Sequence, residues 1–83
     1  MTWAWEYLPE EKYVIGGAPP AFVAEVEARA DELVRAAAAL YLDGTLYRGE
    51  NPKSRTADVP GGMFEYLTIV RHEQIHVVQV TYF

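Results

Sequence analysis

The first pattern along the chain is an alternation of aromatic residues with residues of other types at the N-terminus. Trp3, Trp5 and Tyr7 are separated by single residues. A period of two places the three rings on one side of an extended strand, and aromatic side chains favour strands. The pattern therefore predicts an N-terminal strand whose aromatic face packs against a helix.

A second apolar pattern, with a spacing of three or four residues, follows in the first half of the chain. Its members lie on one stripe of a helix: Phe22, Val26, Ala30, Leu33, Ala37 and Leu40. Pro20 suits a first helical turn, and Gly44 suits the left-handed position that follows a helix. The spacing predicts one long amphipathic helix over residues 21–42, preceded by a turn-rich stretch that contains one Gly-Gly pair and one Pro-Pro pair.

The second half of the chain favours strands. Residues 45–62 are rich in turn-forming types and are expected to contain a short strand at residues 55–59. Pro60-Gly61-Gly62 predicts a turn, and residues 64–70 and 75–83 are rich in β-branched and aromatic types. The polar interval from Arg71 to Gln74 has the length of a hairpin turn. These strands form a three-stranded antiparallel meander.

Two hairpin registers are open from the sequence. A turn closed by Arg71 and Gln74 pairs Ile69 with His76. This register places six residues on one face of the hairpin: Leu67, Ile69, His76, Val78, Val80 and Tyr82. A three-residue turn instead pairs Ile69 with Val77. In either case the fold class is α+β, and 83 residues give room for one domain, residues 1–83.

The amino-acid composition excludes several classes of functional site. The absence of cysteine excludes a disulfide scaffold, a thiolate nucleophile and a cysteine-based zinc site, and fits a reducing cytoplasm. Residues 1–10 lack a basic segment typical of a secretory signal, and no apolar run reaches the ~20 residues that span a bilayer. We therefore expect a cytoplasmic protein with no membrane partner.

The charge is acidic and unevenly distributed. The net charge of −5 disfavours electrostatic binding of nucleic acid. Residues 1–43 hold three basic and eight acidic residues, whereas residues 44–83 hold four of each. The second half could therefore still face a polyanion through its four basic side chains: Arg48, Lys53, Arg55 and Arg71.

Residues 72–76 match the H-E-x-x-H pattern of zinc peptidases, in which two histidines one helical turn apart bind the metal. On a strand, His72 and His76 would be some 13 Å apart at ~3.3 Å per residue. The flanking residues are strand formers such as Ile69 and Val77. A strand and turn are therefore favoured over a metal site, and no metal or cofactor is predicted.

The order of strand, helical region and C-terminal meander resembles the RelE/ParE superfamily of bacterial type II toxins. The resemblance covers nearly the whole chain and rests on the aromatic first strand Trp3-Ala4-Trp5-Glu6-Tyr7, the basic Lys53-Ser54-Arg55, the turn Pro60-Gly61-Gly62, and the hairpin that ends in Val80-Thr81-Tyr82-Phe83. It implies a toxin of a toxin-antitoxin system that cleaves mRNA as a ribosome-dependent endoribonuclease. The implied partners are a cognate antitoxin, mRNA and the ribosome, and a heterotetramer with the antitoxin is one assembly it allows.

RNA cleavage without a metal needs a base, an acid and a cation at the phosphate. Arg55, with Lys53 and Arg48, could hold the phosphate, and Arg71 could add to RNA binding. Tyr82 could stack on a base or transfer a proton. His76 could transfer a proton, since an unperturbed imidazole titrates near pH 6.5. We expect Lys53, Arg55 and Tyr82 to converge on the sheet.

Each candidate also has a plain structural interpretation. Arg55 can be a solvated loop base, Tyr82 a sheet aromatic, and His76 a half-buried strand residue. At the level of the whole chain, the alternatives are a ParE-like or degenerate binding module that does not cleave RNA, and an H-E-x-x-H zinc peptidase.

Overall fold

The computed structural model describes residues 3–40 and 54–83. In chain order they form strand β1 (Ala4–Tyr7), helix α1 (Glu11–Ile15), helix α2 (Pro20–Leu40), strand β2 (Ser54–Val59), strand β3 (Gly62–Ile69), one turn of 3-10 helix (Val70–His72) and strand β4 (Gln74–Tyr82). The strands make one four-stranded sheet in the order β1-β4-β3-β2. The predicted α+β fold, with its N-terminal strand, long helix and C-terminal antiparallel meander, is confirmed.

Strand β1 joins the sheet parallel to β4, whereas β2, β3 and β4 pair antiparallel. Trp5 lies beside Ile75, and Tyr7 lies beside Val77. Strands β3 and β4 are therefore the inner strands, and β1 and β2 are the two edges of the sheet.

Helix α2 packs on one face of the sheet, which we call the covered face. Val26 and Ala30 of α2 are fully buried there, against Phe64 and Val77 of the inner strands. The N-terminal end of α2 contributes Phe22, and the C-terminal end contributes Ala37 beside Trp3 and Ile75. One core thus runs along the length of the helix.

The aromatic residues of β1 meet α2 as predicted. The indole Nε1 of Trp5 donates a hydrogen bond to Asp31 Oδ1 at 2.8 Å, and the Tyr7 hydroxyl donates one to Glu27 Oε2 at 2.8 Å. The two rings pack edge to face with centroids 5.0 Å apart. These contacts fix the edge strand β1 to the helix.

The helical region differs from the prediction in two respects. Leu40 is 61% exposed, so the apolar stripe of α2 stops short of it, and Gly44 lies outside the described residues. Helix α1 falls in the stretch that was predicted to be only turns. Val14 of α1 is buried in the main core, which explains why a five-residue helix forms without a side-chain cap.

The turn between β2 and β3 is confirmed. Val59 pairs with Gly62, so Pro60 and Gly61 form a two-residue connection. Gly61 has a φ of 90°, a value that L side chains rarely adopt. The predicted strand at residues 55–59 corresponds to β2, which begins one residue earlier.

Both predicted registers of the second hairpin are wrong. Ile69 pairs with Gln74 and Leu67 with His76, so the connection comprises residues 70–73 and includes Glu73 at a φ of 53°. The Glu73 N–H donates to the Val70 carbonyl at 3.1 Å and closes the 3-10 turn. The turn thus lies one residue before the polar interval from Arg71 to Gln74.

A bulge then divides the hairpin. Glu65 pairs with Gln79 and Tyr66 with Val77, so β4 has one extra residue, Val78. Leu67, Ile69 and His76 share a face as predicted, but the shift turns Val80 and Tyr82 to the opposite, covered face.

Candidate functional site

The structure places three of the predicted site residues on strands and one in a turn. Arg55 is an exposed residue of β2 beside Tyr66, and Arg71 is exposed in the 3-10 turn. His76 lies in the middle of β4, and Tyr82 is its last residue. Arg48 and Lys53 lie outside the described residues.

The expected convergence of Arg55 and Tyr82 is wrong. Arg55 pairs with Tyr66, whereas Tyr82 pairs with Gly62, which is four residues away on β3. Arg55 and Tyr82 are also on opposite sides of β3, so strand spacings of ~3.3 Å per residue and ~4.8 Å per strand separate their Cα atoms by about 16 Å. The two side chains are therefore not neighbours in the sheet.

Tyr82 has structural contacts of its own. Its hydroxyl donates to the Gly17 carbonyl at 3.4 Å, and its ring centroid lies 5.7 Å from that of Phe22. The side chain is 48% exposed. These contacts favour the interpretation of Tyr82 as a sheet aromatic that connects the end of β4 to the start of α2.

The H-E-x-x-H match does not form the helix that a zinc peptidase needs. His72 lies in the 3-10 turn and His76 in β4, with the left-handed Glu73 between them. Within residues 3–40 and 54–83, there is no group of three or more histidine, aspartate or glutamate side chains that could hold a metal ion. The predicted strand conformation of His76 is confirmed.

His76 faces away from α2 and has two polar neighbours. Its Nε2 lies 3.4 Å from Glu6 Oε1 on β1 and 3.2 Å from Gln74 Oε1 on its own strand. The imidazole is 18% exposed, whereas the Glu6 side chain is 59% exposed. An imidazole beside a carboxylate is an arrangement that can orient a general base or balance an imidazolium charge.

The surface around His76 is the face of the sheet opposite α2, which we call the open face. The register assigns to it every second residue of each strand. Its members are Ala4, Glu6, Ser54, Thr56, Asp58, Met63, Glu65, Leu67, Ile69, Gln74, His76, Gln79 and Thr81. Among the described elements, both helices pack on the covered face, since Val14 of α1 and Val26 of α2 join the same core cluster.

The open face combines an apolar strip with negative charge. Met63, Leu67 and Ile69 lie on this face of the inner strand β3, with Glu65 between Met63 and Leu67, and each of the three is partly exposed. Glu6, Asp58 and Glu65 lie around them, on three different strands. Within the described part of the chain, no Lys or Arg is among the open-face strand residues.

On the covered face, burial and the neighbouring Glu27 raise the pKa of the Tyr7 phenol above its usual value, with Glu11 adding to the effect. The folded state therefore favours the neutral phenol. Its contribution to stability is complete below the unfolded pKa of about 10 and is lost as the pH rises further.

We expect Tyr7→Phe to weaken this alkaline dependence. The substitution removes the hydrogen bond to Glu27, which costs about 1 kcal/mol at neutral pH, and it also removes the titrating group. Urea unfolding followed by circular dichroism should show a smaller loss of stability from about pH 9 to about pH 11 in Tyr7→Phe than in the wild type. Equal losses in the two proteins would contradict the role assigned to Tyr7.

The sequence reasoning missed the open face as a site. The sequence signal for it is that Met63, Glu65, Leu67 and Ile69 occupy every second position of β3 and therefore share one face. The position of Asp58 beside this strip, and that of Glu6 one strand farther away, required the sheet order, since both residues come from edge strands.

No helix among the described residues is long and apolar enough to cross a membrane. No protein-family model, no curated protein and no solved structure matches the chain.

Proposed function

We propose that this chain is a RelE/ParE-like toxin domain that acts by binding a protein through the open face of its sheet, without cleaving RNA. The order of elements on which the family resemblance rests is present in the fold. The proposal also keeps the cytoplasm as the site of action and a cognate antitoxin as the neutralising partner.

The composition of the open face carries this proposal. An apolar strip bordered by carboxylates suits a protein partner, because proteins can cover the apolar part and complement the charge. The phosphates of an RNA would meet Glu6, Asp58 and Glu65, and affinity for phosphates depends on Lys and Arg.

The endoribonuclease stays a second candidate. The pairing of His76 with Glu6 favours it, because an imidazole held by a carboxylate can accept the proton of a ribose hydroxyl. The separation of Arg55 from Tyr82 disfavours it, because the two groups offered for the phosphate and the proton do not lie next to each other in the sheet.

Induced expression in bacteria separates the two candidates. If the protein acts by binding through the open face, wild type arrests growth, and Arg55→Ala and Tyr82→Phe arrest growth equally. If Arg55 neutralises a phosphate charge during cleavage, Arg55→Ala should lower the rate by about two to three orders of magnitude. Cleavage of mRNA on programmed ribosomes, measured with purified protein, gives the direct comparison.

Soluble expression and the thermal midpoint of each variant serve as controls. Indifference of the cells to abundant, folded wild-type protein would refute the toxin proposal. Wild-type cleavage of ribosome-bound mRNA that Arg55→Ala abolishes would favour the endoribonuclease.

A further inference from the structure

We propose that the partner presents to the open face an amphipathic helix whose apolar stripe is flanked by Lys and Arg. This inference rests on the proposed function, since it specifies the chemistry of the partner at the same surface. The geometry of the apolar strip and the positions of the carboxylates carry it.

The apolar strip is available for a partner. Met63, Leu67 and Ile69 are partly exposed, and within the described residues none of them belongs to the buried clusters or to the residues packed against them. Burial of each side chain by a partner would contribute a favourable free energy of roughly 25 cal/mol per Å² of apolar area removed from water. The strip therefore supplies a driving force that the core clusters of residues 3–40 and 54–83 do not use.

The dimensions of the strip fit one helix. Met63 and Ile69 are six residues apart on β3, so the strip is about 20 Å long at ~3.3 Å per residue. A helix of about 13 residues has that length, and its diameter of about 10 Å covers β3 with parts of both neighbouring strands. Such a helix would give the sheet a helical layer on each face, a common domain architecture.

The charges select a cationic helix. Asp58 lies on β2, directly beside the strip, and Glu65 lies on β3 itself. Glu6 lies on the other side, on β1, with strand β4 between it and the strip. Lys and Arg side chains along both edges of a bound helix would reach these carboxylates, and an acidic helix would be repelled.

A second copy of the chain is a poor occupant. Two open faces in contact would bring Glu6, Asp58 and Glu65 of one copy against the same acidic face of the other. Like charges opposed in an interface are unfavourable, so self-association through this face is disfavoured.

Two synthetic helical peptides test the proposal. Both have the same leucine stripe and a length of about 14 residues; one has lysine and the other glutamate at the flanking positions. We expect the lysine peptide to bind the purified protein and to shift the amide NMR signals of Leu67, Ile69 and His76. The glutamate peptide should show no shifts at equal concentration.

Two double variants test whether the carboxylates of the open face account for binding of the lysine peptide. Glu6→Gln with Glu65→Gln removes two open-face carboxylates, and we expect it to weaken the lysine peptide about three- to tenfold. The control is Glu10→Gln with Glu25→Gln, which removes two exposed carboxylates outside the open face and should leave the affinity unchanged.

Several results would overturn the inference: no binding of the lysine peptide, equal binding of the two peptides, equal loss in the two double variants, or a dimer in light scattering that Leu67→Arg dissociates. A single-stranded RNA that displaces the lysine peptide and shifts the same signals would also overturn it. Growth arrest that depends on the open face, together with a negative result from the peptides or their variants, would leave the proposed function intact and reject only the cationic helix, whereas RNA binding at this face would count against both.

Discussion

Replacing Gly62 by alanine is expected to remove about 3 kcal/mol or more of folding stability. A Cβ atom at this position would overlap the Thr81 carbonyl oxygen and would lie 2.8 Å from Tyr82 Cα and 2.7 Å from a ring carbon of Phe22. Two of these atoms belong to the backbone of β4, so no change of rotamer relieves the overlap. A domain of this size has only about 5–15 kcal/mol in total, so the loss would be severe.

Gly17→Ala is the matched control. Gly17 has a φ of 83°, and a Cβ there would meet nothing within 4 Å, so only backbone strain of about 1 kcal/mol is expected. Urea unfolding of both variants measures the difference directly. If Gly62→Ala is no less stable than Gly17→Ala, the close approach of β3, β4 and Phe22 is not a determinant of the fold.

Patterns that local geometry determines were readable from the sequence. The stripe from Phe22 to Ala37 specifies which side of α2 is buried, whatever the helix packs against. The alternation of Trp3, Trp5 and Tyr7 does the same for β1. In both cases a single periodicity predicts both the type of element and the side of it that is buried.

Features that depend on tertiary context were not readable. Helix α1 is short and uncapped, and it forms because Val14 reaches the core. The local sequence of α1 contains no pattern that predicts this burial. The continuous β-branched run of β4 is compatible with several registers. The bulge at Val78 exists because β3 and β4 must both place apolar side chains on the covered face.

The dependence on tertiary context also explains why the residues of the candidate site were grouped wrongly from the sequence. Arg55 and Tyr82 were grouped because both come from the sheet, but the bulge and the strand order decide which corner each occupies. Conversely, Glu6 and Leu67 are distant in sequence, and only the pairing of His76 with both of their strands brings them onto one row.

Leu67→Arg should abolish growth arrest by the induced protein. Leu67 lies at the middle of the apolar strip, beside His76 on one side and Ser54 on the other. A guanidinium there would remain hydrated in the free protein, whereas a partner that covers the strip would have to remove this water and accommodate a longer, charged side chain in place of an apolar one. Central interface residues cost about 2–4 kcal/mol when lost, so affinity for the target should fall at least about thirtyfold.

Ala28→Arg is the matched control for the added charge. Ala28 is an exposed residue of α2, so the same side chain at that position changes the net charge equally and leaves the open face intact. Leu67→Met keeps the volume and apolar character and should retain activity. Because Leu67 is outside both buried clusters, the free Leu67→Arg protein should fold with a thermal midpoint near that of the wild type. Growth arrest by folded Leu67→Arg at the wild-type level would show that the target is reached through another surface, since a partner that packs on the apolar strip could not accommodate a long charged side chain at position 67 without loss of affinity.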